Sequence, residues 1–284
     1  MKLSTKRKFL LCVAGITPLG AANIINIDAT GLTAQIGIAS IGNTGTAGGT
    51  FDTVTGSVDV AAAGGINGLL FSGAKMNSSF TTNSLGTPMV GNQEHSAQAW
   101  VFNPGIGNEE AIVAWGRRGG GNGSNVGFHQ GTHGVFGAVG HWGGPDVTYN
   151  NPEADATAIN ATASLWTHLA YTFDGNESRV FIDGVFVNAD AHGALNTHEF
   201  LGDGTTPLPF ALGAEHNGGD ITGTPVAFSG TIGRVRVDDT ALSDSDILSQ
   251  YNSEKAFFSG VPEPSSALLS GFAAFLLMTR RRRS

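Results

Sequence analysis

Residues 165–188 (LWTHLAYTFDGNESRVFIDGVFVN) constrain the fold of this chain more than any other segment. Between residues 166 and 173 the side chains alternate in character with a period of two residues, which is the period of a β-strand. Turn-forming residues follow at 174–176 (DGN) and at 183–184 (DG), and the second pair is typical of a tight β-hairpin. The segment therefore predicts three consecutive antiparallel strands.

Short alternating runs broken by Gly, Asn, Asp and Pro continue through residues 23–258, and they predict one all-β domain over that range. The clearest further strands are predicted at Ala97–Phe102, Ala111–Gly116 and Gly230–Val237. Within the last of these, the break in alternation at Gly233 predicts a β-bulge. A single helix is predicted at Ser243–Tyr251, with its first residue as the N-cap.

Two antiparallel sheets packed face to face would bury the apolar positions of these strands. The expected core residues are Trp100, Leu169, Tyr171, Phe173, Phe181, Val185 and Ile232. Trp166 and His168 belong to the opposite face of their strand, so we expect their side chains to point away from Tyr171.

Composition narrows the class of protein. Glycine supplies 42 of the 284 residues without a three-residue period, which excludes collagen, and a hydrophobic content of 40% excludes a disordered chain. Between residues 23 and 261 there are seven basic and 22 acidic residues, a net charge of −15. A surface this acidic would repel phosphate backbones, which argues against nucleic acid as a partner. The single cysteine, Cys12, leaves the predicted domain without a disulfide.

Residues 1–22 have the three parts of a secretory signal peptide. Four basic side chains within the first eight residues precede an apolar run, Phe9–Ala22, that ends in small residues. The predicted cleavage site lies before Asn23. An uncleaved membrane anchor is the alternative that this pattern leaves open.

Residues 261–284 combine three features in a fixed order. Pro262, Glu263 and Pro264 are followed by the apolar run Ala267–Met278 and then by four arginines, 280–283. The apolar run predicts a short transmembrane helix whose basic end stays in the cytoplasm. The whole segment resembles the PEP-CTERM sorting signal of Gram-negative bacteria, which implies an exosortase as the processing partner. An ordinary tail anchor is the alternative.

The domain itself resembles a known family. The WTHLAYTFDG motif at 166–175 and the RVFIDGVFV motif at 179–187 are similar to the conserved strands of laminin-G-like, concanavalin A-like jelly rolls. GTIGRVRV at 230–237 is similar to that family's closing strand. The resemblance implies a two-sheet antiparallel jelly-roll sandwich. It does not imply one activity, because lectins, hydrolases, adhesins and spacers share this fold.

The most unusual local chemistry lies in two glycine-rich segments, 115–120 and 137–146. Aromatic faces stack on sugar rings, and Arg or Asp side chains form paired hydrogen bonds with hydroxyls. If the two turns meet at one rim, they predict a glycan-binding or ligand-binding groove. The candidate residues are Trp115, Arg117, Arg118, His141, Trp142 and Asp146. The alternative is that the tryptophans belong to the core and the arginines to a solvated turn.

Calcium is the one cofactor that the family resemblance implies, through oxygen ligands supplied by loops. The candidate ligands are Asp174 and Asn176, and Asp146 and Asp220 are weaker candidates. The alternative interpretation of Asp174 is a turn-forming residue, because Asp side chains cap their own turns.

Catalytic motifs are weak. Glu153 and Asp155 approach the paired carboxylates of glucanases with this fold, but the third carboxylate of that pattern is missing. Glu109 and Glu110 are adjacent and would face opposite sides of a strand. His129 and His133 have a metal-binding spacing only on a helix, which three nearby glycines disfavour. We therefore expect no enzyme activity.

The sequence favours a non-catalytic exported protein of the cell surface or extracellular matrix, with an extracellular polysaccharide as its expected partner. A structural spacer without a small ligand is the first alternative, and a carbohydrate-active hydrolase is the second. Before processing, the C-terminal tail would hold the protein in the cytoplasmic membrane.

Overall fold

The computed structural model describes residues 23–150 and 156–260, which form two antiparallel β-sheets packed face to face. Within these residues there are fifteen strands and two helices. The strands are β1 (Asn23–Asp28), β2 (Ser40–Gly42), β3 (Thr50–Thr55), β4 (Asp59–Ala63), β5 (Ile66–Leu70), β6 (Lys75–Thr81), β7 (His95–Phe102), β8 (Ala111–Gly116), β9 (Asn125–His129), β10 (Val139–Gly140), β11 (Trp166–Phe173), β12 (Ser178–Ile182), β13 (Val185–Asp190), β14 (Pro209–Leu212) and β15 (Thr231–Asp238). The helices are α1 (Thr157–Asn160) and α2 (Asp244–Phe258).

Sheet A has the strand order β13-β12-β11-β7-β15-β5-β4, and β1 also pairs with β15. Strand β7 is central and pairs along its whole length with β11, from Trp166 opposite Phe102 to Phe173 opposite His95. Sheet B has the order β10-β9-β8-β14-β6-β3-β2. The expectation of an all-β, two-sheet antiparallel sandwich is confirmed.

The predicted three-strand meander is present as β11, β12 and β13, each antiparallel to the next. The second turn has Asp183 at φ 50° and Gly184 at φ 76°. Two consecutive residues with positive φ match the right-handed twist of the flanking strands, and Asp-Gly tolerates that conformation better than most pairs. The Asp183-Gly184 pair therefore forms the tight turn of the predicted hairpin between β12 and β13.

Alternate side chains of β11 lie on opposite faces of sheet A and pack against different parts of the molecule. Leu169, Tyr171 and Phe173 are fully buried in the core between the sheets, together with Ile232 of β15. On the outer face, the ring centroid of Trp166 lies 5.1 Å from that of Phe258 in α2, and His168 lies 5.9 Å from Tyr251. The predicted opposite orientation of Trp166 and His168 is confirmed.

Three of the expected core residues lie elsewhere. Trp100 pairs with His168 in the β7–β11 register, so its buried ring lies on the outer face of sheet A, under α2. Phe181 is also buried on that face, in a small cluster with Ala170 and Ile247. Val185 is 63% exposed, so the prediction that it belongs to the core is wrong. It follows the turn at the sheet edge, where no layer covers it.

Helix α2 begins as predicted and extends seven residues further than predicted, to Phe258. Ser243 accepts a hydrogen bond from the Asp246 backbone N–H, and the Asp246 side chain accepts one from Ser243 in return. This capping box satisfies two backbone donors that a helix start leaves unpaired. The predicted bulge at Gly233 is confirmed by a register shift between Ile232 and Arg234.

Several predicted features lie outside the described residues: the signal peptide (1–22), the sorting segment (261–284) with Pro262, Glu263 and Pro264, and the carboxylates Glu153 and Asp155. Among the residues that are described, no helix is long and apolar enough to cross a membrane.

Candidate functional site

The outer face of sheet B carries a groove of about 400 Å³. Strands β9 and β10 form part of its floor, and the loops after β8, β10 and β14 form its walls. The lining residues are Glu109, Arg118, Asn125, Phe136, Gly140, Trp142, Gly143, Asp146 and Glu215. Four of these side chains, Glu109, Arg118, Asp146 and Glu215, can carry charge.

The loop after β14 is anchored over the sheet by Lys75. The Lys75 ammonium is buried and donates hydrogen bonds to the backbone oxygens of Glu215 (2.7 Å) and Gly223 (2.9 Å). Its third contact is Nδ1 of His216 at 3.0 Å. Burial lowers the pKa of Lys75 to about 8, against the charges of Asp220 and Glu215, which raise it. This anchor places Glu215 at the bottom of the groove.

Glu215 and His129 form the most buried charged contact in the groove. Their side chains are 3% and 0% exposed, and Nε2 of His129 lies 2.6 Å from the Glu215 carboxylate. The other ring nitrogen lies 3.1 Å from the Phe136 carbonyl oxygen. Both nitrogens face oxygen atoms, and the cationic form of His129 is the one that can donate to both. Burial lowers the pKa of His129, but the Glu215 carboxylate, the Phe136 carbonyl and the charge of Glu109 together raise it, so the net shift is upward.

Two further groups complete the surroundings of Glu215. Asn125 donates to its carboxylate at 3.3 Å, and Nε of Arg118 lies 3.4 Å from it. Strand β9 makes room for the carboxylate at Gly127, where a Cβ atom would overlap it. A glycine inside a strand is typical of such a close approach.

Asp146 occupies the opposite wall of the groove. Its carboxylate accepts a hydrogen bond from the backbone N–H of His141 at 2.7 Å. Burial raises the pKa of Asp146 above its usual value despite that hydrogen bond, and the nearby charges of Glu215 and Glu109 act in the same direction. A proton at Asp146 is therefore held more tightly than at an exposed aspartate.

Trp142 forms the rim. Its side chain is 41% exposed, and the guanidinium carbon of Arg118 lies 5.3 Å from the centre of its ring. The Trp142 backbone has φ 63°, a conformation that bulky residues rarely adopt. Arg118 thus contacts the Trp142 ring and two carboxylates. One is Glu215, and the other is Glu109, which lies 3.8 Å from Nη2 of Arg118.

The structure brings together three of the six predicted ligand-binding residues: Arg118, Trp142 and Asp146. Trp115 is 1% exposed and packs inside the sandwich, so it offers no face to a ligand. His141 is fully buried beneath the rim, where its Nε2 lies 2.8 Å from the Tyr171 hydroxyl. Arg117 points into a different cavity.

Asp174 acts as a turn residue. One oxygen of its carboxylate accepts hydrogen bonds from the backbone N–H groups of Asn176 (2.9 Å) and Glu177 (2.7 Å). Asp220 is similar, since it accepts from the Thr222 backbone at 2.6 Å. In the described part of the chain, no group of three or more His, Cys, Asp and Glu residues is arranged to hold a metal ion. Calcium binding at Asp174 and Asn176 stays a prediction.

The predicted set lacks Glu109, Asn125 and Glu215 as groove residues. Glu215 approaches His129 across 86 positions of sequence, and the LGAEHN segment around it has no motif. The signal that the sequence offers is Gly127, which lies between the apolar residues Val126 and Phe128, because a glycine inside a strand indicates a close neighbour. His133 lies in a turn, stacked on Phe136, and not beside His129.

With the sandwich and its groove established, comparison with known proteins identifies the family. A sequence model described as the concanavalin A-like lectin/glucanases superfamily matches residues 73–248, more than half of the chain. The chain belongs to this superfamily. The match begins just before β6 and ends within α2, so it includes every strand that lines the groove. A search of curated proteins gives no match.

Solved structures with a similar fold include three from bacterial proteins. Domain 4 of the extracellular arabinanase AbnA from Geobacillus stearothermophilus, solved with arabinotriose, is 17% identical with a TM-score of 0.49, over 81% of this chain and 98% of that domain. The botulinum neurotoxin serotype D binding domain is 12% identical (TM-score 0.47), over 82% of this chain and 52% of that one. The CBM40 domain of a Ruminococcus gnavus sialidase is 13% identical (TM-score 0.39), over 56% and 83%.

Proposed function

We propose that this chain is a non-catalytic exported protein that binds polysaccharide in the groove on sheet B. The observation that carries the proposal is Trp142, an exposed tryptophan on the rim beside Arg118. An exposed indole face stacks on the apolar face of a sugar ring, and a guanidinium beside it donates hydrogen bonds to ring hydroxyls.

The backbone of Trp142 supports a role for its side chain. A left-handed conformation costs a bulky residue about 1–3 kcal/mol and is found mainly at binding and catalytic sites. Glycine would adopt the same conformation without strain, as Gly143 does beside it at φ 85°. A tryptophan at this position is therefore costly for folding, and ligand binding gives a physical reason for it.

The floor and walls supply the polar part of the site. Glu109 and Asp146 line the groove with carboxylate oxygens, which accept hydrogen bonds from the hydroxyl groups of a sugar. A volume of about 400 Å³ is within the usual range for ligand sites and fits a short stretch of a glycan.

The proposal that the protein is non-catalytic rests on how the carboxylates are held. Glu215 is 3% exposed and contacts His129, Arg118 and Asn125, so few of its lone pairs are free to act on a substrate. Asp146 already accepts a backbone hydrogen bond. A glycosidase instead needs one carboxyl group that gives up its proton and a second that is free to attack or to activate water.

A hydrolase is the second candidate, favoured by one observation. Three carboxylates, Glu109, Asp146 and Glu215, line the same groove, and the pKa of Asp146 is raised by burial. A carboxyl group with a raised pKa beside an ionised one is the arrangement of a general acid and its partner. Assays for reducing sugar released from common polysaccharides separate the two candidates.

A glycan array probed with the purified protein, with and without EDTA, tests the binding proposal. We expect binding to at least one polysaccharide class and at least a tenfold loss in Trp142→Ala. Phe186→Ala is the matched control, because Phe186 is also 41% exposed and also lies under an arginine, Arg179, at 4.4 Å. Phe186 lies in β13 of the other sheet, so its loss should leave binding unchanged. Absence of all glycan binding would favour the structural spacer.

The proposal also includes export from the cell and cleavage of the C-terminal segment. The segments at residues 1–22 and 261–284 support secretion, transient attachment to the cytoplasmic membrane and cleavage by an exosortase near Pro262-Glu263-Pro264. The mature protein would then reach the cell surface or extracellular matrix. Intact-mass measurement of protein from a Gram-negative host that carries an exosortase should give a chain from about Asn23 to the Pro-Glu-Pro motif. A chain that still ends at Ser284 would contradict the sorting proposal.

A further inference from the structure

A second cavity of about 440 Å³ lies beside the groove and shares no lining residue with it. Consecutive arginines separate the two, because Arg118 lines the groove and Arg117 lines the second cavity. The remaining lining residues of the second cavity are Val90, Gly91, Asn196, Thr197, His198, Glu199, Phe200, Leu201 and Gly204.

Arg117 differs from the other arginines that the structure describes. Arg118, Arg179, Arg234 and Arg236 each lie within 4.0 Å of a carboxylate. Among the described residues, Arg117 has no such ion pair, and its buried Nε has no hydrogen-bond partner. In a domain with 22 acidic residues, a lone guanidinium that lines a cavity is unusual. A buried donor without an acceptor is unfavourable, so an anion that accepts hydrogen bonds from the Arg117 guanidinium would stabilise this site.

Small residues lie next to the guanidinium. A Cβ atom at Gly202 or at Gly218 would lie 3.8 Å from Nη1 of Arg117, so these two glycines are close neighbours of the guanidinium and add no polar side chain to it. Glu199, the one carboxylate among the lining residues, accepts a hydrogen bond from Asn83 at 3.3 Å and lies more than 4.0 Å from the arginine nitrogens. Among the described lining residues, no carboxylate therefore forms an ion pair with Arg117.

We propose that this second cavity binds a carboxylate-bearing sugar, with Arg117 holding the carboxylate. The planar guanidinium pairs with a carboxylate through two parallel hydrogen bonds, a geometry that an ammonium or a neutral amide does not reproduce. The site is separate from the groove, so the inference does not depend on the function proposed for Trp142.

The rest of the cavity fits a sugar better than a small inorganic anion. Its volume of about 440 Å³ is several times that of a sulfate ion, and ligand pockets of this size hold molecules with both polar and apolar faces. His198 and the exposed Asn196 offer polar groups to hydroxyls, while Val90 and Leu201 offer apolar surface. An acidic monosaccharide or the end of an acidic oligosaccharide combines these features.

Isothermal titration calorimetry of the full-length protein with sodium glucuronate, glucose and sodium sulfate tests the proposal at constant ionic strength. We expect glucuronate to bind at least tenfold more tightly than glucose or sulfate. Arg117→Gln should weaken glucuronate binding at least tenfold, and Arg117→Lys should give an intermediate loss. Arg179→Gln, an arginine on the other sheet that lines neither cavity, should change it less than twofold.

A second readout is the titration of His198 by NMR. Burial and then the charge of Arg117 lower the pKa of His198. A bound carboxylate offsets that charge, so glucuronate should raise the pKa of His198 in the wild type but not in Arg117→Gln. Equal binding of glucose or sulfate would overturn the proposal, as would glucuronate binding that Arg117→Gln leaves unchanged. An unchanged thermal midpoint in Arg117→Lys confirms that lost binding is not lost folding.

Discussion

Each outer face of the sandwich has one buried glutamate that is paired with arginine, but the residues around the two glutamates differ. On sheet A, Glu254 of α2 is 7% exposed and contacts Arg236 and Arg234 at 2.5 and 3.1 Å. On sheet B, Glu215 is 3% exposed and contacts His129 at 2.6 Å and Arg118 at 3.4 Å. Both carboxylates are paired, as a buried charge must be.

The difference lies in what covers each face. Helix α2 seals sheet A, where the rings of Trp100 and Phe258 stack at 4.2 Å and Trp100 also donates a hydrogen bond to Glu254 at 2.7 Å. Sheet B is covered by loops, which leave a groove above Glu215. The same pairing of charges therefore lies beneath a helix on one sheet and beneath a groove of ligand size on the other.

The largest expected effect is on the sealed face. Glu254→Gln leaves Arg234 and Arg236 without their shared carboxylate, and breaking a buried pair from one side costs about 3 kcal/mol. We expect the free energy of unfolding, measured with urea, to fall by that amount. Glycan binding in the groove should not change, because the groove lies on the other sheet.

Glu177→Gln is the matched control for this variant. Glu177 pairs with Arg179 at 3.7 Å, but both side chains are about one third exposed. Exposed pairs contribute less than about 1 kcal/mol. If Glu254→Gln costs no more than Glu177→Gln, then Glu254 is not the structural counterpart of Glu215, and the comparison between the faces fails.

Acid should affect His168 on sheet A and His129 on sheet B in opposite directions. Under α2, burial lowers the pKa of His168 to about 4, and neither ring nitrogen has a hydrogen-bond partner among the residues that the structure describes. Its neutral form is favoured by folding, so its contribution is full above pH 6.5 and is lost as the pH falls toward 4. On sheet B, His129 has a raised pKa, so its contribution is full below pH 6.5 and is lost at higher pH.

His168→Phe tests this asymmetry. Phenylalanine keeps the aromatic contacts to Trp100 and Tyr251 and cannot be protonated. At pH 5 the variant should be more stable than the wild type by about 2 kcal/mol, the free energy that a histidine with a pKa near 4 loses there. At pH 7.5 the two proteins should differ much less. A gain that is equal at both pH values would show that His168 carries no acid sensitivity.

The sequence predicts the fold better than the site, for physical reasons. Period-two alternation and the Asp183-Gly184 turn are local signals, so the meander follows from the residues that form it. Alternation separates the two faces of a strand but does not indicate which layer covers each face. Trp100 is therefore expected between the sheets, whereas in the structure it lies under α2. Glu215 joins His129 through long-range pairing, which leaves no local pattern.

The smallest expected change in the free energy of unfolding is at Trp142, on the loop-covered face of sheet B (the open face), where a single variant should change stability and glycan binding in opposite directions. Trp142→Gly removes both the strained side chain at φ 63° and the aromatic rim, so we expect the free energy of unfolding to rise by about 1 kcal/mol while glycan binding is lost. Ser164→Gly is the matched control, because Ser164 has φ 61° and is exposed. It should gain similar stability and keep full binding. If Trp142→Gly binds glycan like the wild type, the strain at Trp142 has no functional reason, and the open face is no more a binding site than the sealed one.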